Sequence, residues 1–294
     1  MNKVGFIGVG IMGKSMVRNL MKAGFELHIY ARTKSKVEDV IGEGAQVHES
    51  IKDCVQDCDA VITIVGFPQD VEEVYFDEGN ILDSAKEGAY LIDMTTTSPQ
   101  IAEKIYAEGT KRGFHVMDAP VTGGDTGAKA GTLSILVGGE KEDYEACMPL
   151  FEAMGTNINY QGKAGCGQHC KLANQIMIAG TLSGVCEALT YAKEQGLDPE
   201  VFMKSVATGA AGSKQLDTFG PKILKEDYAP GFFMKHFIKD MKLALIEANR
   251  KGLSLDVLSM VLANYEELEQ EGYGDLGTQA LMKFYDEEHR NMEE

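Results

Sequence analysis

Gly8-Val9-Gly10-Ile11-Met12-Gly13 decides how this chain is read. The six residues follow a β-rich run, Lys3–Ile7, and open a 3.6-period segment reaching to about Ala23. That strand, turn and helix setting is where G-x-G-x-x-G has a physical meaning. The first glycine permits a tight turn, the second lets a pyrophosphate approach the backbone, and the third lets the helix pack closely on the strand. Backbone N–H groups and the positive end of the helix dipole then face the diphosphate. Gly8, Gly10 and Gly13, with Ile11 and Met12 between them, are candidate cofactor-binding residues, and the expected ligand is a dinucleotide.

The next strand, Glu26–Tyr30, sharpens the cofactor expectation. An NAD site usually carries Asp or Glu at its end to accept from the adenosine ribose hydroxyls. This chain reads Tyr30-Ala31-Arg32-Thr33-Lys34-Ser35-Lys36, without a carboxylate. Arg32, Thr33 and Lys36 offer a planar fork, a hydroxyl and a point charge, a set suited to a 2′-phosphate. NADP(H) is the expected preference, with NAD(H) use left open; an ordinary basic surface helix start is the alternative.

Further along, Ala60–Val65, Tyr90–Asp93, His115–Ala119 and Leu133–Val137 read as strands, and Asn157–Gln161 as a last one. Helical segments separate them; Ser98-Pro99 supplies an N-cap and first-turn proline ahead of Ile101–Arg112. The alternation predicts a doubly wound parallel sheet covered on both faces, the Rossmann-type α/β arrangement. After Gly162-Lys163-Ala164-Gly165 the β signal fades into 3.6-period patterns at Cys166–Gln195, Pro199–Thr208, Phe233–Lys251, Ser254–Glu271 and Thr278–Asp286. The expected organisation is a dinucleotide-binding domain over 1–163 and an all-helical substrate and dimerisation domain over 164–294. The acidic end, Asp286-Glu287-Glu288 to Glu294, reads as a solvated tail.

A length of 294 residues suits two domains, and 44% hydrophobic with 25% charged residues is a globular composition. With 28 Lys plus Arg against 45 Asp plus Glu, the formal net charge is −17. Such a balance opposes broad binding to nucleic acid or to anionic membranes, while one local basic spot still admits a small anion. Lys3–Ile7 runs directly into the glycine turn without a signal-peptide pattern, so a cytoplasmic location is expected. The uncharged stretch Leu172 to Cys186 contains Asn174, Gln175, Thr181 and Ser183 and reads as a buried helix rather than a membrane span. Six cysteines are too sparse for a disulfide scaffold. Cys54 with Cys58, and Cys166 with Cys170 beside His169, have i,i+4 spacing, but no further ligands complete a tetrahedral set, so no metal is expected.

Other stretches carry an ordered set of motifs. They are Asp93-Met94-Thr95-Thr96-Thr97-Ser98-Pro99, Asp118-Ala119-Pro120-Val121-Thr122-Gly123-Gly124, Gly131-Thr132-Leu133 with Val137-Gly138-Gly139, Gly165-Cys166-Gly167-Gln168-His169-Cys170-Lys171-Leu172-Ala173-Asn174, and Lys239-Asp240. With the Gly8–Gly13 turn, the series resembles the β-hydroxyacid dehydrogenase family, which contains 3-hydroxyisobutyrate dehydrogenases and tartronate or succinic semialdehyde reductases. The resemblance spans nearly the whole chain. It implies an oxidoreductase that interconverts a short β-hydroxyacid and its semialdehyde by hydride transfer, acting on a small carboxylate-bearing substrate.

Lys171 also stands out without the family. Between Cys166 and Ala192 only Lys171 and Glu187 carry formal charge, and Asn174 and Gln175 share the lysine's helix face at i+3 and i+4. A lysine there either snorkels to solvent or serves a site. The resemblance implies the second, with Lys171 as general acid and base and Asn174 holding substrate beside it. Reduction of an aldehyde builds alkoxide character on oxygen, and an ammonium in hydrogen-bond reach supplies its proton. By the same resemblance Thr122, Gly123 and Gly124 hold the substrate carboxylate. Val65, Pro68 and Thr96 line the nicotinamide side of the cofactor, Lys239 reaches cofactor or substrate, and Asp240 orients the site.

Some positions depart from the family pattern. Thr122 stands where serine is typical, Gln175 replaces a second asparagine, and Gly272 to Ala280 follows G-x-G-D-x-D-x-S-A only in part. Three other functions compete with this one. A 6-phosphogluconate dehydrogenase relative needs a longer helical part, an imine reductase commonly lacks the lysine, and a non-catalytic dinucleotide-binding protein would tolerate loss of Lys171. The apolar faces of the helical half point to a homodimer or homotetramer.

Overall fold

The computed structural model describes residues 1–286, so the acidic tail beyond Asp286 lies outside the described residues. The chain divides into two compact units, Met1–Lys171 and Leu172 to the C-terminus. The division falls inside a helix, whereas the boundary expected at residue 163 falls just after the last strand.

The first unit contains nine strands: β1 Lys3–Ile7, β2 Glu26–Tyr30, β3 Gln46–His48, β4 Ala60–Thr63, β5 Tyr90–Asp93, β6 His115–Asp118, β7 Val121–Thr122, β8 Leu133–Gly138 and β9 Gly155–Gly162. They form one sheet in the order β3-β2-β1-β4-β5-β6-β8-β7, with β9 on β8. Strands β1 to β6 pair in parallel, β8 turns antiparallel to β6 and β7, and β9 returns parallel to β8. The order reverses at β1, between β2 and β4, which makes the carboxyl ends of these strands the natural ligand crevice.

Period-two alternation sorts the strand residues onto the two faces. Ile62, Ile92 and Met117 pack in one core cluster with the helix Ile11–Lys22. Their neighbours Val61, Leu91 and Val116 pack in a second cluster with Tyr75 and Ile105. Both faces are therefore dry, which is why these strands read as continuous apolar runs. The sequence reading missed β3 and β7, which are too short to show a period. The expected cap is present: Ser98 Oγ accepts from Gln100 N at 3.2 Å at the start of the helix Pro99–Lys111.

The second unit is helical, with Cys166–Glu194 entering it and Pro199–Val206, Lys214–Ile223, Met234–Arg250 and Asp256–Gln270 following. Lys214–Ile223 was not anticipated, because Gly220 and Pro221 break its pattern; Ser213 caps it by accepting from Leu216 N at 3.1 Å. Thr278–Tyr285 winds as a 3-10 helix. Leu172, Ala179, Leu182, Cys186 and Leu189 of the long helix pack against Phe237, Met241, Val261 and Tyr265 in a single apolar cluster.

Candidate functional site

The glycine turn joins β1 to the helix Ile11–Lys22, and its three glycines meet three different demands. Gly8 adopts a φ of +98°, and a Cβ there would sit 2.1 Å from the carbonyl oxygen of Ile64. At Gly13 a Cβ would lie 2.1 Å from Gly8 O. Around Gly10 nothing stands within 4 Å of that position. Gly8 and Gly13 thus keep the backbone segments together, while Gly10 leaves space in front of a helix N-terminus that has no side-chain cap. Uncapped N–H groups beside open space suit a diphosphate. This cradle fits a dinucleotide.

At the neighbouring strand ends, buried polar groups meet backbone amides. Asp93 Oδ1, at the end of β5, accepts from Thr63 Oγ1 at 2.8 Å and from Thr95 N at 3.1 Å. Its Oδ2 has no hydrogen-bond partner among the described residues. Burial pushes the Asp93 carboxyl up to about 6, although the bonds from Thr95 and Thr63 favour the ionised form. Thr95 Oγ1 accepts from Val65 N at 3.0 Å, so the segments after β4 and β5 are tied together. Thr96, half-buried, follows directly.

Asp118 ends β6 and closes the start of the long helix. Its Oδ1 accepts from Gly165 N at 2.7 Å and its Oδ2 from Gln168 N at 2.8 Å, two amides that the helix itself leaves without partners. Burial raises this carboxyl above its ordinary range against those bonds. The fully buried side chain of Gln168 spans to the β5 segment, its Oε1 accepting from Thr97 N at 3.0 Å and its Nε2 donating to Thr95 O at 2.7 Å. Lys171 follows three residues later and is buried, with 7% of its surface exposed. Thr122, Gly123 and Gly124 follow Asp118 in a tight link between β7 and the helix Gly124–Ala130, with both glycines at positive φ. The 93–98, 118–124 and 165–171 segments therefore meet at the carboxyl edge of the sheet.

The basic segment after β2 is exposed at Arg32, Thr33 and Lys36. Carboxylates do face Arg32, contrary to what its own strand end shows. Arg32 Nη2 donates to Asp70 Oδ1 at 2.7 Å and to Glu73 Oε2 at 3.1 Å, both on the helix Pro68–Phe76. The Asp70 bond is the main cause that raises the guanidinium's affinity for its proton. Asp70 Oδ2 also accepts from Phe67 N at 2.9 Å, which fixes the start of that helix beside Pro68. Lys34 pairs with Glu49, and Lys36 has no ion pair among the described residues.

In the helical unit Asn174, Gln175, Asp240 and Lys239 form one chain. Asn174 Nδ2 donates to Gln175 Oε1 at 2.7 Å, Gln175 Nε2 donates to Asp240 Oδ2 at 2.6 Å, and Lys239 Nζ lies 3.0 Å from Asp240 Oδ1. Asp240 is fully buried, so Lys239-Asp240 is not a surface pair. Gln175, read in the sequence as a neighbour of Lys171 on its helix face and as a departure from the family, is the link between the two helices. Among the described residues no cluster of three or more His, Cys, Asp or Glu is arranged to hold a metal. Cys54 and Cys58 are buried and donate to His28 O and Cys54 O.

Residues 3–162 match a family described as the NAD binding domain of 6-phosphogluconate dehydrogenase, and residues 165–285 match one described as NAD-binding of NADP-dependent 3-hydroxyisobutyrate dehydrogenase. The chain belongs to the 3-hydroxyisobutyrate dehydrogenase-like β-hydroxyacid dehydrogenase family. It is an NAD(P)-dependent dehydrogenase of that family acting on CH–OH groups. The family's relatives include a probable 3-hydroxyisobutyrate dehydrogenase-like protein 1 of Arabidopsis thaliana, 45% identical over 95% of this chain and 84% of that protein. An NAD-dependent L-serine dehydrogenase of Pseudomonas aeruginosa is 34% identical over 97% of this chain and 98% of its own. Among solved structures, a 3-hydroxyisobutyrate dehydrogenase of Mycobacterium tuberculosis with L-serine superimposes with a TM-score of 0.88 at 27% identity, covering 96% of this chain and 98% of that one. The resemblance read from the motifs and the expected two-part architecture both hold.

Proposed function

We propose that this β-hydroxyacid dehydrogenase interconverts a short β-hydroxyacid and its semialdehyde, prefers NADP(H), and uses Lys171 as general acid and base. The observation that carries the reading is a buried lysine on a helix start fastened, through Asp118 and Gln168, to the strand ends beside the glycine cradle. The bound nicotinamide supplies or accepts the hydride.

The chain's own residues do the rest. Gly10 and the amides behind it hold the diphosphate, and Val65, Pro68 and Thr96 line the nicotinamide end. The Thr122 hydroxyl and the amides of Gly123 and Gly124 take the substrate carboxylate. The Lys171 ammonium gives its proton to the carbonyl oxygen as negative charge builds there, and in the oxidising direction the neutral amine takes the hydroxyl proton. Asn174 hydrogen-bonds the substrate, with Gln175, Asp240 and Lys239 holding its amide in place.

Arg32 with Thr33 and Lys36 recognises the 2′-phosphate, and Arg32 exchanges Asp70 and Glu73 for it on binding. Because that exchange costs two ion pairs, NAD(H) is expected to remain a usable second cofactor. Arg32→Ala should weaken NADPH by about 10-fold, the order of one charge-assisted bond, and leave NADH nearly unchanged. Equal losses in a fluorescence titration of both nucleotides would remove Arg32 from cofactor choice. A panel of short semialdehydes and β-hydroxyacids assayed with each cofactor tests the activity itself; turnover of none of them refutes the reading. The exposed apolar residues Met177, Tyr191, Val257 and Met260 of the helical unit support a homodimer or homotetramer, which sedimentation would check.

A further inference from the structure

We propose that Gln168 is a positioning residue for the reaction: its side-chain amide fixes the Thr95–Thr97 segment against the start of the helix that carries Lys171. The inference rests on the roles assigned above to Thr96 and Lys171. No motif assigns Gln168 a function, and its neighbours in sequence, His169 and Cys170, are more exposed than it is.

The geometry is specific to a carboxamide. Oε1 accepts from Thr97 N at 3.0 Å while Nε2 donates to Thr95 O at 2.7 Å, so the amide bridges the peptide groups on both sides of Thr96. Thr95 is held from behind as well, its N–H on Asp93 Oδ1 at 3.1 Å and its hydroxyl on Val65 N at 3.0 Å. Gln168 N is pinned by Asp118 Oδ2 at 2.8 Å, so the bridge cannot slide along the helix. An apolar side chain of the same volume would fill the space and leave a buried N–H and a buried C=O unmet. The segment bearing Thr96 and the turn leading to Lys171 would then lose their common reference. Displacements of about 1 Å at such supports are enough to cost on the order of 10²-fold in rate.

An acid in place of the amide gives a test that packing alone does not move. A neutral carboxylic acid reproduces the amide's pattern, one donor and one acceptor, whereas the carboxylate offers two acceptors and confronts Thr95 O. The ionisable groups around the position are Asp118, which accepts from Gln168 N, Asp93 behind Thr95, and His169 and Lys171 on the same helix. In Gln168→Glu the ratio of variant to wild-type kcat should rise at least several-fold as pH falls from about 8 to about 5.5, as burial and the two aspartates raise a carboxyl. In the cofactor-free protein the hydrogen-exchange protection factor of the Thr97 amide should be lower at the higher pH, where repulsion from Thr95 O turns the carboxylate away and takes its other oxygen off Thr97 N, and should rise again at the lower one. Gln168→Met, which cannot titrate, should show a depressed kcat at every pH with NADPH affinity changed far less.

A flat ratio across the pH range, or protection that returns without any recovery of kcat, overturns the proposal. A Gln168→Met variant with wild-type kcat overturns it too. Lys171→Ala run in parallel separates the two levels. If it keeps its turnover, the reading of Lys171 fails; if it loses turnover while Gln168→Glu follows wild type at every pH, only the bridge is refuted.

Discussion

The two units satisfy buried polar groups at their candidate sites in opposite ways. In the sheet unit, carboxylates and an amide meet the backbone: Asp93 takes Thr95 N, Asp118 takes Gly165 N and Gln168 N, and Gln168 takes Thr97 N. In the helical unit, Asn174, Gln175, Asp240 and Lys239 meet one another, side chain to side chain. The difference follows from where free peptide groups occur. Strand ends and helix starts leave N–H groups over, while a helix interior has spent all of its own. At the candidate residues the sheet unit therefore sets the position of main-chain segments, whereas Asn174, Gln175, Asp240 and Lys239 of the helical unit orient one another.

The largest effect should come from backbone crowding in the sheet unit. Gly8→Ala puts a Cβ into Ile64 O from a left-handed φ, so folded protein should be largely lost. Gly10→Ala meets no neighbour, and it should keep the wild-type melting temperature while losing dinucleotide affinity. Equal behaviour of the two variants in thermal melts and NADPH titrations would break the division of labour within the cradle.

Next in size is Lys171→Met. Turnover should fall by roughly 10²-fold or more, the range for a lost proton donor, with NADPH affinity close to wild type. Retained kcat across a pH series would move the donor to Lys239, and so from the sheet unit to the helical one.

Asp93→Asn probes the backbone-held carboxylates. Folding raises this carboxyl from an ordinary 3.8 to about 6, so neutral Asp93 is the form the fold favours. The contribution of the group is then greatest below about pH 4 and is lost as pH rises through about 6, by roughly 3 kcal/mol for two pKa units. Relative to wild type, Asp93→Asn should gain stability over that window in urea unfolding. A difference independent of pH would mean that burial does not strain this carboxylate.

The smallest expected change is Gln175→Leu, which strips Asp240 Oδ2 of its donor at a cost of about 1–3 kcal/mol. Loss of stability with unchanged NADPH affinity would keep the chain as the helical unit's own device. A large drop in NADPH affinity would show that side-chain orientation in this unit also sets the cradle, and the contrast between units would fail.

The sequence by itself determined the strands β1, β2, β4, β5, β6, β8 and β9, the glycine cradle, the long helix and the isolated position of Lys171 near its start. All are legible because period, turn chemistry and the rarity of charge in an apolar helix are local properties. Tertiary structure decided who meets whom. Arg32 finds Asp70 and Glu73 only because β2 and β4 flank β1, and Asp118 finds Gln168 only because the long helix starts at the end of β6. Gln175 finds Asp240 across 65 residues of chain. Spacing along the chain does not encode such encounters, since each depends on which elements lie side by side. For the same reason Asp93, Asp118 and Gln168 stood inside recognisable motifs without showing which backbone groups they hold.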